Sequence, residues 1–259
     1  MTISLFLNYN IYRDVYNPFS LEGKTILITG ASSGIGKATA IECSKAGAKV
    51  YLTARNEERL RQTLAEMDND GHKIIKADIT SVEDIQNLVD SVEVLDGVAL
   101  VAGINDKMII KKIDNDFVSK MMSTNFTGPA LLMKSLLKAK KINKQASIVF
   151  MSSVSAFYPS VSNALYGASK AAMNQFAKVL ALEVLPLKAR VNCIQPAFVE
   201  TEMIQKYGEE TLDEIRKNYP LGRFAKPEEI AQAIIYYFSD STQLITGTSL
   251  VIDGGYTLR

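Results

Sequence analysis

Short apolar runs alternate with longer amphipathic segments along nearly the whole chain of 259 residues. The runs include TILI, from Thr25, and SIVF, from Ser147, and they show no polar residue at every second position. Strands of this kind are buried on both faces. Because strand and helix patterns alternate about seven times, the sequence predicts an α/β fold. The expected form is a single-domain doubly wound parallel sheet of the Rossmann type, with about seven strands and helices on both faces.

The predicted strands, in chain order, are KTILITG, KVYLTA, HKIIKAD, GVALVAG, ASIVFMSS, ARVNCIQP and GTSLVIDGG. Segments of helical period separate them, including one long helix predicted for VSKMMSTNFTGPALLMKSLLKAK, from Val118. No repeat or linker interrupts the alternation, so residues 18–259 are predicted to form one domain. Residues 1–17 are an N-terminal extension, which is either loose or packed on a neighbouring subunit.

Composition argues against several classes of function. Lys and Arg total 29 against 28 acidic residues, so neither a nucleic acid nor a membrane surface is an expected partner. Cys43 and Cys193 lie far apart and His72 is the sole histidine, so no disulfide framework, metal site or histidine-based hydrolase triad is expected. No apolar run reaches the roughly 20 residues that span a bilayer, and the N-terminus does not resemble a signal peptide. A cytoplasmic location is therefore predicted.

A glycine-rich turn follows the first predicted strand, where TGASSGIGKA contains Gly30, Gly34 and Gly36. In a parallel sheet this turn lies at the carboxyl end of the strand, and the next helix directs its free N–H groups towards it. Glycine permits the close approach of backbone to phosphate that a Cβ atom would block. A glycine triplet can also form a simple tight turn, but its place between strand and helix favours a pyrophosphate site.

The end of the second predicted strand bears on which nucleotide would bind. An NAD enzyme usually has an acidic residue there, whereas this chain has Arg55 in LTARNEE. An arginine favours a 2′-phosphate, so NADP(H) is the preferred cofactor and NAD(H) the alternative. A solvated arginine at the start of a charged helix would give the same pattern. Asp78, after the third strand, is predicted to cap the following helix or to bind the adenine amino group.

Tyr166 and Lys170 stand four residues apart in YGASK, on a predicted helix. This spacing brings both side chains to one face, where the ammonium group would favour the phenolate and lower the pKa of the tyrosine. The same spacing is common on solvated helix faces. Taken alone, the pair is more often such a surface than a proton-transfer site.

Together, TGASSGIG, YGASK, GRFAKPEEIA and DGGY resemble the short-chain dehydrogenase/reductase family over essentially the whole chain after Asn17. The form T-G-x-x-x-G-x-G and the length resemble the simple oxidoreductases of that family, with greatest similarity to the 3-oxoacyl-carrier-protein reductases. The resemblance implies hydride transfer between a nicotinamide nucleotide and a ketone or secondary alcohol. In this context the tyrosine and lysine are interpreted as a proton-transfer pair.

The family's active-site tetrad implies that Asn125, Ser153, Tyr166 and Lys170 are the catalytic residues. Two more serines lie in FMSSVSA, Ser152 and Ser155, but the family spacing of thirteen residues before the tyrosine selects Ser153. In that scheme Tyr166 exchanges a proton with the substrate oxygen, Ser153 donates a hydrogen bond to it, and Asn125 holds a water that relays protons.

The resemblance also implies a nucleotide site and a substrate lid. Residues 204–224 would form the lid and carry Tyr207 and Tyr219. The residues expected to contact the nucleotide are Gly30, Ser32, Ser33, Gly34, Ile35, Gly36, Arg55, Asp78, Ile79, Ala102, Gly103, Tyr166, Lys170, Pro196, Val199 and Thr201.

The chain departs from the family pattern at two places. Leu100 and Val101 stand where the family commonly has two asparagines, which removes hydrogen bonds expected to brace the central sheet. Ala197 follows Pro196 where the family has a glycine. Because alanine does not easily take a positive φ, the entry to the lid is expected to differ in shape.

Three functions remain open at this point. The first is an NADP(H)-dependent ketone reductase or alcohol dehydrogenase. Its candidate substrates include 3-oxoacyl thioesters. The second is a sugar or sterol-like alcohol dehydrogenase that uses NAD(H), and the third is a non-catalytic nucleotide-binding relative. Lys107, Lys111, Lys112 and Arg223 are either contacts for an acidic carrier protein or simply solvated. Apolar residues on several faces of two helices, and the family resemblance, predict a homotetramer or homodimer.

Overall fold

Seven parallel strands form one sheet in the computed structural model, which describes residues 16–258. The strands are β1 (Thr25–Thr29), β2 (Lys49–Ala54), β3 (Lys73–Lys76), β4 (Leu95–Leu100), β5 (Ile142–Met151), β6 (Arg190–Pro196) and β7 (Ser249–Ile252). Their spatial order is β3-β2-β1-β4-β5-β6-β7. The direction of winding therefore reverses between β1 and β4, and ligands of such sheets bind beyond the carboxyl ends of the strands at this point. The prediction of a doubly wound parallel sheet is confirmed.

Helices cover both faces of the sheet. They are α1 (Gly34–Lys45), α2 (Glu57–Ala65), α3 (Val82–Ser91), α4 (Asn115–Met122), α5 (Gly128–Lys138), α6 (Ala164–Glu183), α7 (Glu202–Gln205), α8 (Glu209–Arg216) and α9 (Pro227–Phe238). Side chains of α3, α5 and α6 pack with Leu27 on one face, and those of α1, α2 and α9 pack with Ile26 and Ile28 on the other. Successive strand residues point to opposite faces, which is why the three central residues of β1 are all apolar.

The long helix predicted from Val118 is in fact two helices. A single π-helical turn, Ser123–Thr127, separates α4 from α5. Pro129 lies at the start of α5 and has no N–H to donate to the carbonyl of Asn125, and its ring would clash with that carbonyl in regular α geometry. The chain widens locally instead, as π-turns do. The prediction of one continuous helix was wrong at this turn, which carries Asn125.

The structure explains how the chain accommodates its two departures from the family pattern. Thr29 Oγ1 accepts hydrogen bonds from the N–H groups of Val101 and Ala102, at 3.0 and 3.1 Å. This contact ties the end of β4 to the end of β1 without an asparagine side chain. Ala197 is not among the residues with a positive φ, so it needs no glycine-like conformation.

Two further predictions concern the N-terminal extension and the cellular location. Residues 1–15 of the extension lie outside the part of the chain that the structure describes. Within residues 16–258, no helix combines the length and the apolar character that crossing a membrane requires. The predicted cytoplasmic location remains a prediction.

Candidate active site

A cavity of about 560 Å³ opens beyond the carboxyl ends of the strands. Its lining includes all the residues predicted to contact the nucleotide, from the glycine turn to Thr201, and also Ser153. Asn125 is not part of the lining. The cavity therefore joins the predicted nucleotide site to three of the four predicted catalytic residues, and its size is typical of a small-molecule site.

The glycine turn is packed too closely against its neighbours for side chains at its three glycines. A Cβ atom on Gly36 would lie 2.2 Å from the carbonyl oxygen of Gly30, and one on Gly30 would lie 2.9 Å from the Cα atom of Ala102. A Cβ atom on Gly34 would lie 3.1 Å from Thr201 Cγ2, so the segment after β6 packs directly on the turn. The side chain of Ser33 makes no cap hydrogen bond at the start of α1. The residues present fit a nucleotide pyrophosphate at this helix terminus.

Two arginines line the far end of the cavity. Arg55 is largely exposed, and its guanidinium lies 3.9 Å from a carboxylate oxygen of Asp78. Arg59, in the first turn of α2, forms an ion pair with Glu202 at the start of α7. Sequence reasoning missed Arg59, although its place in the first turn of the charged helix that follows Arg55 could have revealed it.

Asp78 does not cap α3 as predicted. Ser81 is the N-cap residue, and its side chain accepts a hydrogen bond from the N–H of Asp84. The Asp78 carboxylate instead accepts from the N–H and the hydroxyl of Thr80, at 2.9 and 2.7 Å. It lies three positions before the N-cap residue Ser81, while it still lines the cavity.

Ser153 is the serine that meets Tyr166. Its hydroxyl donates to the carbonyl oxygen of Pro196 at 3.3 Å and accepts from the N–H of Ser155 at 3.1 Å. The neighbouring hydroxyl lowers the pKa of Tyr166, although burial outweighs this effect. Ser152 donates to the carbonyl oxygen of Lys170 at 3.2 Å, and the hydroxyl of Ser155 accepts from the amide of Asn163 at 3.1 Å. Three serines thus follow strand β5, and their hydroxyl groups have different hydrogen-bond partners.

The pKa values of the tyrosine and lysine differ from the sequence expectation. Burial raises the pKa of Tyr166 to about 12 and lowers that of Lys170 to about 8, because a low-dielectric surrounding disfavours both charged forms. The ammonium group of Lys170 lies 5.6 Å from the ring centroid of Tyr166. The expected lowering of the tyrosine pKa by Lys170 is therefore not what this geometry produces, since desolvation is the larger effect.

Asn125 lies behind the cavity wall and is 2% exposed. Its Oδ1 atom accepts from the N–H of Ile104 at 2.8 Å, and its Nδ2 atom donates to the carbonyl oxygen of Ile104 at 2.9 Å. Nδ2 also lies 3.1 Å from the hydroxyl of Ser169, on α6. The π-turn thus presents an amide that holds the loop after β4 in place. A water relay through Asn125 remains a prediction.

Aromatic side chains line the remaining part of the cavity, namely Tyr158, Phe198, Tyr207 and Tyr256. Of the two tyrosines expected in the lid, Tyr207 is one of them, but Tyr219 is buried and its hydroxyl accepts a hydrogen bond from the N–H of Phe198. Tyr219 therefore shapes the wall from behind. Sequence reasoning missed Tyr256, which stacks 4.9 Å from Tyr219, because the chain end gives no local signal of its place in the fold.

Comparison with known proteins agrees with this geometry. Residues 30–257 match a family model described as Enoyl-(Acyl carrier protein) reductase. The 3-oxoacyl-(acyl-carrier-protein) reductase FabG of Rickettsia conorii is 34% identical over 236 residues, which cover 91% of this chain and 97% of that protein. The NAD-dependent glycerol dehydrogenase of Listeria innocua is 32% identical, over 93% of this chain and 96% of its own length. A solved structure from Brucella melitensis, described as short-chain dehydrogenase/reductase SDR:Glucose/ribitol dehydrogenase, has a TM-score of 0.86 at 31% identity and covers 91% of this chain and 97% of its own.

Proposed function

Because the chain belongs to the short-chain dehydrogenase/reductase family, we propose that it reduces a ketone with NADP(H) as the preferred nucleotide, and that 3-oxoacyl thioesters are among its substrates. The protein is an oxidoreductase that acts on carbonyl or alcohol groups. This class membership removes support from the alternative of a non-catalytic relative. The observation that carries the proposal is the meeting of Ser153, Tyr166 and Lys170 in the cavity that begins at the glycine turn.

The residues that would hold the nucleotide form a continuous wall. The glycine turn and the start of α1 receive the pyrophosphate, and Arg55 with Arg59 provides positive charge for a 2′-phosphate. Gly103 leaves room beside Lys170, since a Cβ atom there would lie 3.4 Å from Lys170 Nζ. When bound, a nicotinamide nucleotide supplies or accepts the hydride at the substrate carbon.

The protein's own contribution is to bind the carbonyl oxygen and to move a proton. Because burial keeps the phenol of Tyr166 protonated at neutral pH, it is a proton donor for an oxygen that gains negative charge. Ser153 donates a hydrogen bond to the same oxygen and stabilises that charge. Lys170 remains mainly an ammonium group below its pKa of about 8, and its charge stabilises the phenolate that proton transfer leaves behind.

The shape and polarity of the substrate end favour an acyl chain over a polyol. Apolar and aromatic residues line it, among them Phe198, Ile204, Tyr207, Ile215 and Tyr256. Their side chains provide a large apolar surface for an acyl chain. The relatives named as 3-oxoacyl-(acyl-carrier-protein) reductases support the same substrate class.

A second candidate is oxidation of a polyol or sugar alcohol with NAD(H). It is favoured by the similarity to the glycerol dehydrogenase of Listeria innocua, and by the carboxylate of Asp78 beside Arg55, which would oppose a 2′-phosphate. The aromatic lining of the substrate end counts against it.

The protein is also proposed to form a homotetramer or homodimer through α6. This helix exposes 45% of Val179 and 68% of Leu182, and Leu185 just beyond it is 53% exposed. Such an apolar stripe is typical of a surface covered by another subunit. Sedimentation velocity would give the number of subunits, and a monomer at micromolar concentration would contradict the assembly.

A panel of ketones and alcohols, followed by the absorbance of NADPH and NADH, tests activity, nucleotide and substrate class together. We expect turnover of 3-oxoacyl thioesters with NADPH at a kcat/KM at least tenfold above that with NADH. Faster oxidation of glycerol or sugar alcohols with NAD⁺ would favour the second candidate. Absence of turnover with every member of the panel would contradict the proposed substrate class.

A further inference from the structure

A lysine stands over one of the aromatic rings in the substrate end of the cavity. The Nζ atom of Lys107 lies 4.5 Å from the ring centroid of Tyr207, and both residues line the cavity. An ionised Tyr207 would raise the pKa of Tyr166, which indicates that the two phenols are close enough to interact. A substrate whose oxygen binds at Tyr166 therefore has Tyr207 and Lys107 among its neighbours.

A second ammonium group approaches the same ring. Lys206 follows α7, and its Nζ atom lies 5.7 Å from the centroid of Tyr207. Partial burial lowers the pKa of Lys107, and the charge of Lys206 lowers it further. Attraction to the face of the ring offsets part of this repulsion, but a ring carries no net negative charge. Two cations thus lie near the ring of Tyr207, and of the two Lys107 is the one that lines the cavity.

Negative charge is scarce at this edge. Asp106 lies 3.9 Å from Lys206 and 2.9 Å from Lys120, so a single carboxylate is shared by two ammonium groups. Lys206 also donates to the carbonyl oxygen of Asn105. For Lys107, residues 16–258 provide no ion-pair partner, and its neighbours are a cation and an aromatic ring. Its charge is the uncompensated one in this group.

The other basic residues that the sequence suggested for an acidic partner differ from Lys107. Lys111 and Lys112 lie in the short helical turn Ile110–Lys112, are exposed and do not line the cavity. Arg223 donates to both carboxylate oxygens of Glu229, at 2.6 and 2.7 Å. Of these four residues, Lys107 alone lines the cavity, and within residues 16–258 it has no ion-pair partner.

We propose that Lys107 and Lys206 form an anion subsite at the mouth of the cavity, and that the substrate carries a carboxylate or phosphate group beyond its reacting carbonyl. The inference rests on the proposed function, which identifies this cavity as the substrate site. An anion bound at Lys107 offsets the repulsion from Lys206, and its N–H···O contact is charge-assisted. The aromatic rings bind the apolar part of the same substrate.

Two matched pairs of ketones test the subsite and separate the two sources of the anion. 4-Oxopentanoate and its methyl ester differ in a carboxylate, whereas acetoacetyl-coenzyme A carries phosphates, with the rest of the coenzyme, that the acetoacetyl thioester of N-acetylcysteamine lacks. We expect Lys107→Met to lower kcat/KM about ten- to hundredfold for the charged member of at least one pair, as loss of a charge-assisted hydrogen bond does. The neutral members should change less than twofold, and Lys107→Arg should restore most of the preference for the charged member.

Lys111→Met is the matched control, because it removes an equal charge four residues away and outside the cavity. It should leave all four values unchanged. If wild-type protein shows no preference for the charged member of either pair, or if Lys107→Met retains the preference, the subsite is overturned. Equal losses for charged and neutral ketones would likewise overturn it, because they indicate a structural effect.

Calorimetry of the protein saturated with NADP⁺ separates this inference from the proposed function, since no ketone can be reduced there. If Lys107→Met binds the charged ketone about tenfold more weakly than the wild type and binds the neutral ketone equally well, the subsite is supported. This holds even if no ketone is turned over. Turnover of neutral and charged ketones at equal rates, with equal affinities, supports the proposed function and overturns the subsite.

Discussion

The Nζ atom of Lys170 lies 2.7 Å from the main-chain oxygen of Met151 and donates a hydrogen bond to it, while the ring centroid of Tyr166 is 5.6 Å away. The end of β5 therefore fixes the lysine independently of the tyrosine on the same face of α6. The lysine is 4% exposed, so its ammonium group has one carbonyl partner in place of water. This arrangement holds a positive charge beside the phenol at a cost in desolvation.

Tyr166→Phe is expected to remove the proton donor and leave the cavity intact. The kcat for ketone reduction should fall about 10²- to 10⁴-fold, as loss of a general acid typically does. Binding of NADPH, measured by its fluorescence, should be nearly unchanged. Tyr236→Phe, on the exposed side of α9 and outside the cavity, is the control and should retain full activity. Retention of most activity by Tyr166→Phe would show that another group supplies the proton.

The buried Lys170 should make stability depend on pH above neutrality. Its pKa is about 8 in the folded chain and 10.5 ordinarily, so between these values the unfolded state binds more protons. The free energy of unfolding then rises with pH through this window, because the penalty for burying the charge is full below about pH 8 and lost near 10.5.

We expect the wild-type protein to gain about 2 kcal/mol over Lys170→Met between about pH 7.5 and 9.5. Urea denaturation of both proteins at several pH values measures the difference, and it cancels groups common to both. Below pH 10 both proteins also avoid the loss of stability that Tyr166, with its pKa raised to about 12, causes from about pH 10 upwards. Parallel pH profiles would contradict a depressed lysine pKa.

Arg55→Asp should shift the nucleotide preference towards NADH, because a carboxylate repels a 2′-phosphate and accepts from ribose hydroxyl groups. The ratio of kcat/KM for NADPH to that for NADH should fall at least about tenfold, the effect of removing one charge-assisted contact. Arg61→Asp makes the same change of charge on the outer face of α2, where Arg61 pairs with Glu57, and should leave the ratio unaltered. An equal ratio in wild type and Arg55→Asp would remove Arg55 from nucleotide selection.

Thr29→Val should destabilise the fold by leaving two N–H groups at the end of β4 without their acceptor. The expected loss is about 2–4 kcal/mol, the usual cost of two unpaired donors. Thr53→Val is the matched control. It makes the same change at a fully buried position on β2, and the Thr53 hydroxyl has no hydrogen-bond partner within residues 16–258. Urea denaturation should show little loss for Thr53→Val; equal losses in both variants would argue against Thr29 as the brace.

The sequence by itself determined the architecture and the chemical class. Continuous apolar strands such as β1 can only be buried on both faces, which requires helices on both sides of a parallel sheet. The glycine turn, and the family resemblance that selected Ser153 by its spacing from Tyr166, identified residues that line one cavity, because these motifs lie within single strand–turn–helix units. Periodicity and spacing report local geometry and burial, and these features depend on neither distant partners nor exact contacts.

The tertiary structure alone decided which partner each polar group meets. It committed the amide of Asn125 to the backbone of Ile104, and it gave Thr29 the bracing role that asparagines were expected to perform. It also directed the charge of Lys107, and not that of Lys111, to the cavity. The partners in these contacts come from separate elements, so their distances and pKa values follow from how the layers pack, which no local pattern encodes.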